Sequence, residues 1–286
     1  MKTRHLLPLL LFLIPLSSPC ASPNDARNPW RLHGSDLFQG WMEDALNARE
    51  AKSATPSVYQ CRFEGSNSAL SALYKGWADA ALVITESPPE LSDRFEVHQV
   101  ARYCLFAYTD NSNPIEALSV DQLRRIATSD TGNQIRTWQD LSPDATDTPL
   151  NSPIRLLIAE GYLHIASSHL LKLLSIKANA EVQALILDPE AIDASLQKDR
   201  NWILISDQPS LPTPTSKRLA LAAKDETVPF LPTEENLNYA DYPSAAQILL
   251  ISKRADPRCA ELLATFSHPE WVERFRSHNL IPSQSH

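Results

Sequence analysis

Three short segments in the first third of the chain bring together small, hydroxyl-bearing and acidic residues: Gly34-Ser35-Asp36, Gly65-Ser66-Asn67-Ser68 and Ile84-Thr85-Glu86-Ser87. Each reads as a strand end running into a helix N-terminus. Such a junction offers unpaired backbone N–H groups, hydroxyls and the positive end of a helix dipole. Together these make a place for a small anion without needing a lysine or arginine. Taken singly, each segment is ordinary helix capping. Three in consecutive βα units point to one shared site, because ligands of open α/β sheets sit beyond the carboxyl ends of the strands.

Alternating elements would position these loops. Trp30–His33, Val58–Phe63, Ala80–Ile84 and Val100–Tyr108 read as strands. Leu37, Phe38, Trp41, Met42, Ala45 and Leu46 recur at helical spacing, with Ser35 or Asp36 as cap. Ala69, Leu70, Leu73 and Tyr74 predict a short helix ended by Gly76. Ser119-Val120-Asp121-Gln122 has the form of a capping box. Further strands are predicted at Ile154–Ile158, Trp202–Ile205 and Gln247–Ser252, and helices at Ile165–Ile176, Cys259–Phe266 and Glu270–Phe275. Strands alternating with helices give an α/β fold with a largely parallel sheet.

Composition removes several function classes. The 286 residues carry 26 Lys+Arg against 34 Asp+Glu, a net charge of −8, which is the wrong sign for a nucleic-acid binder. The six tryptophans form no stacking series for bases. Only six glycines occur, and the Rossmann and P-loop phosphate fingerprints are absent. There is no GxSxG, HExxH or CxxC. His33, His98, His164, His169, His268 and His278 are scattered, and His164 and His169 stand five apart, off a common helical face. Glu234-Glu235 and the Asp188/Glu190 pair fall in loop or cap contexts. No catalytic residue, metal site or cofactor is expected.

The N-terminus reads as an address. Lys2 and Arg4 precede an apolar run from Leu6 to Leu16, then the small residues Ser17, Ser18, Cys20, Ala21 and Ser22. This is the order of a secretory signal peptide, residues 1–21, with cleavage after Ala21. Pro19 directly before Cys20 departs from a lipid-attachment pattern, so a periplasmic or secreted chain without a lipid anchor is favoured. Three cysteines would remain, Cys61, Cys104 and Cys259. An oxidising compartment allows one disulfide among them; three buried thiols are the other reading.

The motifs in chain order resemble the periplasmic phosphate-binding proteins of ABC transporters and their PstS-like, type 2 substrate-binding relatives. The resemblance rests on His33-Gly34-Ser35, on Phe63-Glu64-Gly65-Ser66-Asn67-Ser68, and on Leu73, Gly76, Ala78 and Asp79 before a strand. It continues through Asn113-Pro114-Ile115 with Leu118, Leu123, Ile126 and Trp138, then Val228-Pro229, Thr233, Glu235-Asn236 and Asp241-Tyr242-Pro243. His268-Pro269-Glu270 and Ile281-Pro282 close it.

The resemblance implies a two-lobed fold with two crossover segments: lobe one over 28–111 plus 244–286, lobe two over 112–243. It implies a monomeric receptor that captures phosphate or a related oxyanion between the lobes and delivers it to an ABC transporter permease. A sensor or accessory module with a degenerate anion site is the alternative. The implied ligand residues are Ser35, Asp36, Ser66, Asn67, Ser68, Thr85, Glu86 and Tyr162. An ionised Glu86 only accepts hydrogen bonds, so beside an anion it would select one that still carries a hydrogen, and would reject sulfate. Two departures stand out. Asn67 and Ser68 occupy places where the family has glycine. Ala159-Glu160-Gly161-Tyr162-Leu163-His164 replaces the Arg and Ser-Gly-Thr expected after the Ile154–Ile158 strand, leaving Tyr162 and His164 as polar substitutes.

Overall fold

The structure, a computed structural model, describes residues 29–51, 59–128, 134–141, 151–159, 165–177, 182–210, 212–239 and 241–283. The expected signal peptide lies outside them. Thirteen strands are described: β1 (Trp30–Gly34), β2 (Tyr59–Phe63), β3 (Ala80–Thr85), β4 (Phe95–Tyr103), β5 (Phe106–Asp110), β6 (Ala117–Ser119), β7 (Arg155–Ala159), β8 (Leu185–Leu187), β9 (Trp202–Ser206), β10 (Ser216–Arg218), β11 (Ala220–Ala222), β12 (Ala246–Lys253) and β13 (Leu280–Pro282). The helices are α1 (Met42–Glu50), α2 (Ser66–Tyr74), α3 (Val120–Ala127), α4 (Trp138–Leu141), α5 (Ile165–Leu173), α6 (Pro189–Lys198), α7 (Glu234–Asn238), α8 (Pro257–Phe266) and α9 (Pro269–Ser277).

Two sheets organise two lobes. The first has strand order β13-β4-β12-β3-β1-β2 and the second β10-β5-β9-β7-β8, with a small parallel pair β11-β6 beside them. In the first, β2, β1 and β3 run parallel while β12 is antiparallel to both β3 and β4. The second repeats the scheme: β8, β7 and β9 run parallel and β5 is antiparallel to β9 and β10. The first sheet therefore takes β12 and β13 from beyond the second crossover, while every strand of the second sheet comes from the stretch between the two crossovers.

The first crossing falls at Cys104-Leu105, between β4 and β5, and the second lies between β11 and β12. The expectation of one strand over Val100–Tyr108, with lobe one continuing to residue 111, is therefore corrected: β5 pairs in the second sheet. No glycine or proline marks the crossing, and its residues are fully buried, so the apolar run hides it.

Alternation along β3 fills both faces of the first sheet. Ala80 and Leu82 join the main core with Trp30, Leu32, Phe38 and Met42. Ala81 and Val83 pack with Ala69 and Leu73 of α2, and with Leu249 and Ile251 of β12. Cys61, Cys104 and Cys259 are free thiols. No helix among the described residues is long and apolar enough to cross a membrane.

Asp79, which the resemblance placed in a shared motif, holds β3 to β1 at the end away from the three loops. Its Oδ2 accepts from the Arg31 backbone N–H at 3.0 Å and from Nε at 3.1 Å, and its Oδ1 accepts from Nη2 at 2.9 Å. Burial alone would raise the Asp79 pKa; the hydrogen bonds and charge of Arg31 outweigh it and hold the carboxyl below its ordinary range. A depressed carboxylate stabilises the fold above its unfolded pKa of about 3.9, and that contribution is lost as pH falls through the folded value. Asp79→Ala is expected to cost about 1–3 kcal/mol at neutral pH. Urea unfolding curves of variant and wild type should separate at neutral pH and converge in strong acid. Equal separation at both would show that the charge is not what Asp79 contributes.

Candidate functional site

The three loops meet because the ends of three strands are tied together. Ser35 N–H donates to Leu82 O at 2.9 Å, and Gly65 N–H donates to Gly34 O at 3.1 Å. Ser66 Oγ accepts from the Ile84 N–H at 3.0 Å, joining the start of α2 to the end of β3. Gly34 makes this closeness possible: a Cβ there would stand 2.8 Å from the Phe63 ring and 2.9 Å from the Leu82 carbonyl oxygen.

Ser35 is buried, accepts from the Leu37 N–H at 3.3 Å and donates to Asp36 Oδ1 at 2.9 Å. It caps a 3-10 turn over Asp36–Phe38 rather than one long helix. Gly40, at φ +83°, separates that turn from α1. Gly65, at φ +104°, turns the chain into α2, which starts at Ser66, earlier than the Gly65–Ser68 turn in the sequence suggested. The first intrahelical bond is Ala69 N–H to Gly65 O at 3.0 Å. The N–H groups of Ser66, Asn67 and Ser68 precede it and open the helix toward the cleft. No helix follows the third loop. There Thr85 Oγ1 donates to Ser87 O at 2.5 Å and accepts from the Ser87 N–H at 3.3 Å, and the chain continues through a loop to β4.

All three loops line one cavity of about 700 Å³, within the usual range for small-ligand pockets. Ser35, Asp36, Ser66, Asn67, Ser68, Thr85 and Glu86 all line it. Tyr162 and His164 lie outside the described residues. From lobe two, α5 adds Ser168, His169 and Lys172, one helical face at i, i+1 and i+4.

His169 carries the chemistry on that side. It is buried, and its ring stands edge-on to Tyr103 at 5.5 Å. Nε2 lies 2.9 Å from Ser244 O. A carbonyl only accepts, so the proton is assigned to Nε2. Burial pushes the His169 pKa below its ordinary value, against the opposing effects of the Ser244 bond and the Glu86 charge. The ring is therefore neutral at neutral pH, with the Nδ1 lone pair 3.7 Å from Glu86 Oε1. Two acceptors from opposite lobes face one another, and each could take a hydrogen carried by a ligand.

Among the described residues, three carboxylates line the cavity, Asp36, Glu64 and Glu86, against one permanent cation, Lys172, and no arginine. Positive potential comes from the α2 N-terminus and from Lys172. Loop residues were legible because caps leave local signals. Ser168, His169 and Lys172 were missed as site residues, although a polar Ser-His-x-x-Lys face on the otherwise apolar Ile165–Leu173 run was the available signal.

No protein-family model matches the sequence, and no curated protein does. Solved structures match its fold. One is "a possible phosphate binding protein" from Planctomyces limnophilus, with TM-score 0.69, 12% identity, and coverage of 90% of this chain and 93% of that one. A second is PstS from Borrelia burgdorferi, with TM-score 0.68, 13% identity, and coverage of 90% and 99%. A third is an ABC-type phosphate transport receptor from Vibrio cholerae, with TM-score 0.65, 18% identity, and coverage of 88% and 99%. The likeness is one of architecture: this chain has the two-lobed α/β fold of those receptors.

Proposed function

We propose that this chain is a PstS-like, exported substrate-binding protein that captures phosphate or a related hydrogen-bearing oxyanion between its lobes and passes it to an ABC transporter. It acts by binding, with no covalent step. The observation that carries this reading is the α2 N-terminus, flanked by Ser66, Asn67 and Ser68, opening on a cleft that both lobes line. The unpaired N–H groups would hold the oxyanion from lobe one, and Lys172 would oppose it from lobe two. Glu86 or the neutral His169 Nδ1 would accept the one hydrogen of monohydrogen phosphate, and both could accept from dihydrogen phosphate. Sulfate brings no hydrogen at neutral pH and would meet Glu86 as bare repulsion.

Titration calorimetry of the purified protein against phosphate and sulfate tests the reading. Phosphate should bind at least about 100-fold more tightly than sulfate, a difference near 2.7 kcal/mol. Glu86→Gln should shrink that preference to about tenfold or less, because an amide can also donate. The excess of carboxylates and the missing arginine favour a second reading, a sensor or accessory module whose anion site has decayed. Heat from none of the oxyanions would decide for that second reading.

A further inference from the structure

We infer that Glu96, His98 and Cys259 form a binding site for a divalent transition-metal ion of the Zn²⁺ class, separate from the cleft. No motif announces it, because the donors come from positions 96, 98 and 259. The fold brings them together. Glu96 and His98 are two apart on β4, so their side chains leave the same face of the strand. Cys259 stands in the first turn of α8.

One donor atom from each residue lies within 4.8 Å of the others, and among the described residues this is the only such group of three. His98 Nε2 is 3.8 Å from Glu96 Oε1. A tetrahedral zinc ion with bonds of about 2.0–2.3 Å needs donors roughly 3.3–3.8 Å apart, so small side-chain adjustments complete the set. The carboxylate is already held: Ser252 Oγ donates to Glu96 Oε1 at 3.2 Å, and the Ala255 N–H approaches Oε2 at 3.5 Å. Such outer contacts orient metal ligands.

The donor types choose the ion. Thiolate, imidazole and carboxylate together suit Zn²⁺, Co²⁺ or Cu²⁺ and disfavour Mg²⁺ and Ca²⁺. Thiolate and carboxylate carry two negative charges, which one divalent cation neutralises. Cys259 is fully buried, whereas Glu96 and His98 are half-buried. The ion would have protein on its sulfur side and an open fourth position toward solvent, available to water. β4 carries Tyr103 of the cleft at its other end, seven residues from Glu96, or roughly 23 Å at about 3.3 Å per residue. Metal binding and oxyanion binding can therefore succeed or fail independently.

Co²⁺ is the probe. The metal-free full chain should take up one equivalent, with a thiolate-to-cobalt charge-transfer band in the near ultraviolet. Zn²⁺ should displace it and raise the unfolding temperature, since it binds the folded state alone. Cys259→Ser should remove the band. His98→Ala, at a half-exposed position, should weaken binding by at least about tenfold. Cys61→Ser should change nothing. Overturning results are the absence of the band, its survival in Cys259→Ser, undiminished binding in His98→Ala, or its loss in Cys61→Ser. If Cys259→Ser does not fold, His98→Ala and Cys61→Ser still decide.

Discussion

Gly34→Ala is expected to lower the unfolding free energy by about 1–3 kcal/mol and to open the cleft loops. The cause is steric. Gly34 does not sit at positive φ among the described residues, so backbone strain is not at issue. The new Cβ would stand 2.8 Å from Phe63 Cδ1 and 2.9 Å from Leu82 O. Neither neighbour has room to yield. The Phe63 ring is buried against Phe38, with centroids 6.0 Å apart. Leu82 O is fixed by the sheet and accepts the Ser35 N–H. Relief requires Gly34 to draw back from Leu82 in β3 and from Phe63 in β2, which strains that bond on one side and the Gly65 N–H to Gly34 O bond on the other. A shifted urea midpoint measures the cost. Unchanged stability would show that the three strand ends are looser than their contacts indicate.

Ser244→Ala is expected to cost about 2–6 kcal/mol, the sum of two buried backbone groups left bare at roughly 1–3 kcal/mol each. Ser244 Oγ accepts from the Leu105 N–H at 3.2 Å and donates to the Leu105 carbonyl at 2.5 Å. Both residues are essentially inaccessible to solvent, so water cannot replace the hydroxyl without rearrangement. Leu105 lies in the first crossover and Ser244 in the second, and this hydroxyl bolts them together. The Ser244 carbonyl also fixes the His169 ring, so the substitution touches the cleft wall as well. Chemical unfolding of the variant tests the value. A change within about 0.5 kcal/mol, the range of an ordinary surface substitution, would mean that the crossovers do not depend on it.

What was legible in the sequence was local. The cap at Ser119, the glycine at 76 and the uncharged Ala80–Ile84 run each act over a few residues and left their elements where the sequence placed them, while Ser35 capped a short turn ahead of α1 and Gly65 opened α2 earlier than expected. The resemblance supplied the two-lobed plan. Hidden features depended on distance along the chain. The apolar stretch through Cys104-Leu105 reads as one strand because burial on both sides erases any break. The three-residue strands β6, β8, β10, β11 and β13 are too short to show a period. In α6, Ile192 and Leu196 alone mark the buried face among the described side chains. His169 looked like one of several scattered histidines until α5 was set against Glu86, 83 positions away. The Glu96, His98 and Cys259 group was invisible for the same reason.

The late return of β12 to the middle of the first sheet has a consequence for how the molecule is made. As the chain emerges N-terminus first, β3 and β4 have a gap between them until β12 is synthesised near the end. Until then both bordering strands present unpaired backbone edges, the kind of surface that invites mispairing with other chains. The first half of the polypeptide therefore cannot mature ahead of the second, and nascent or truncated forms depend on something else to shield that slot.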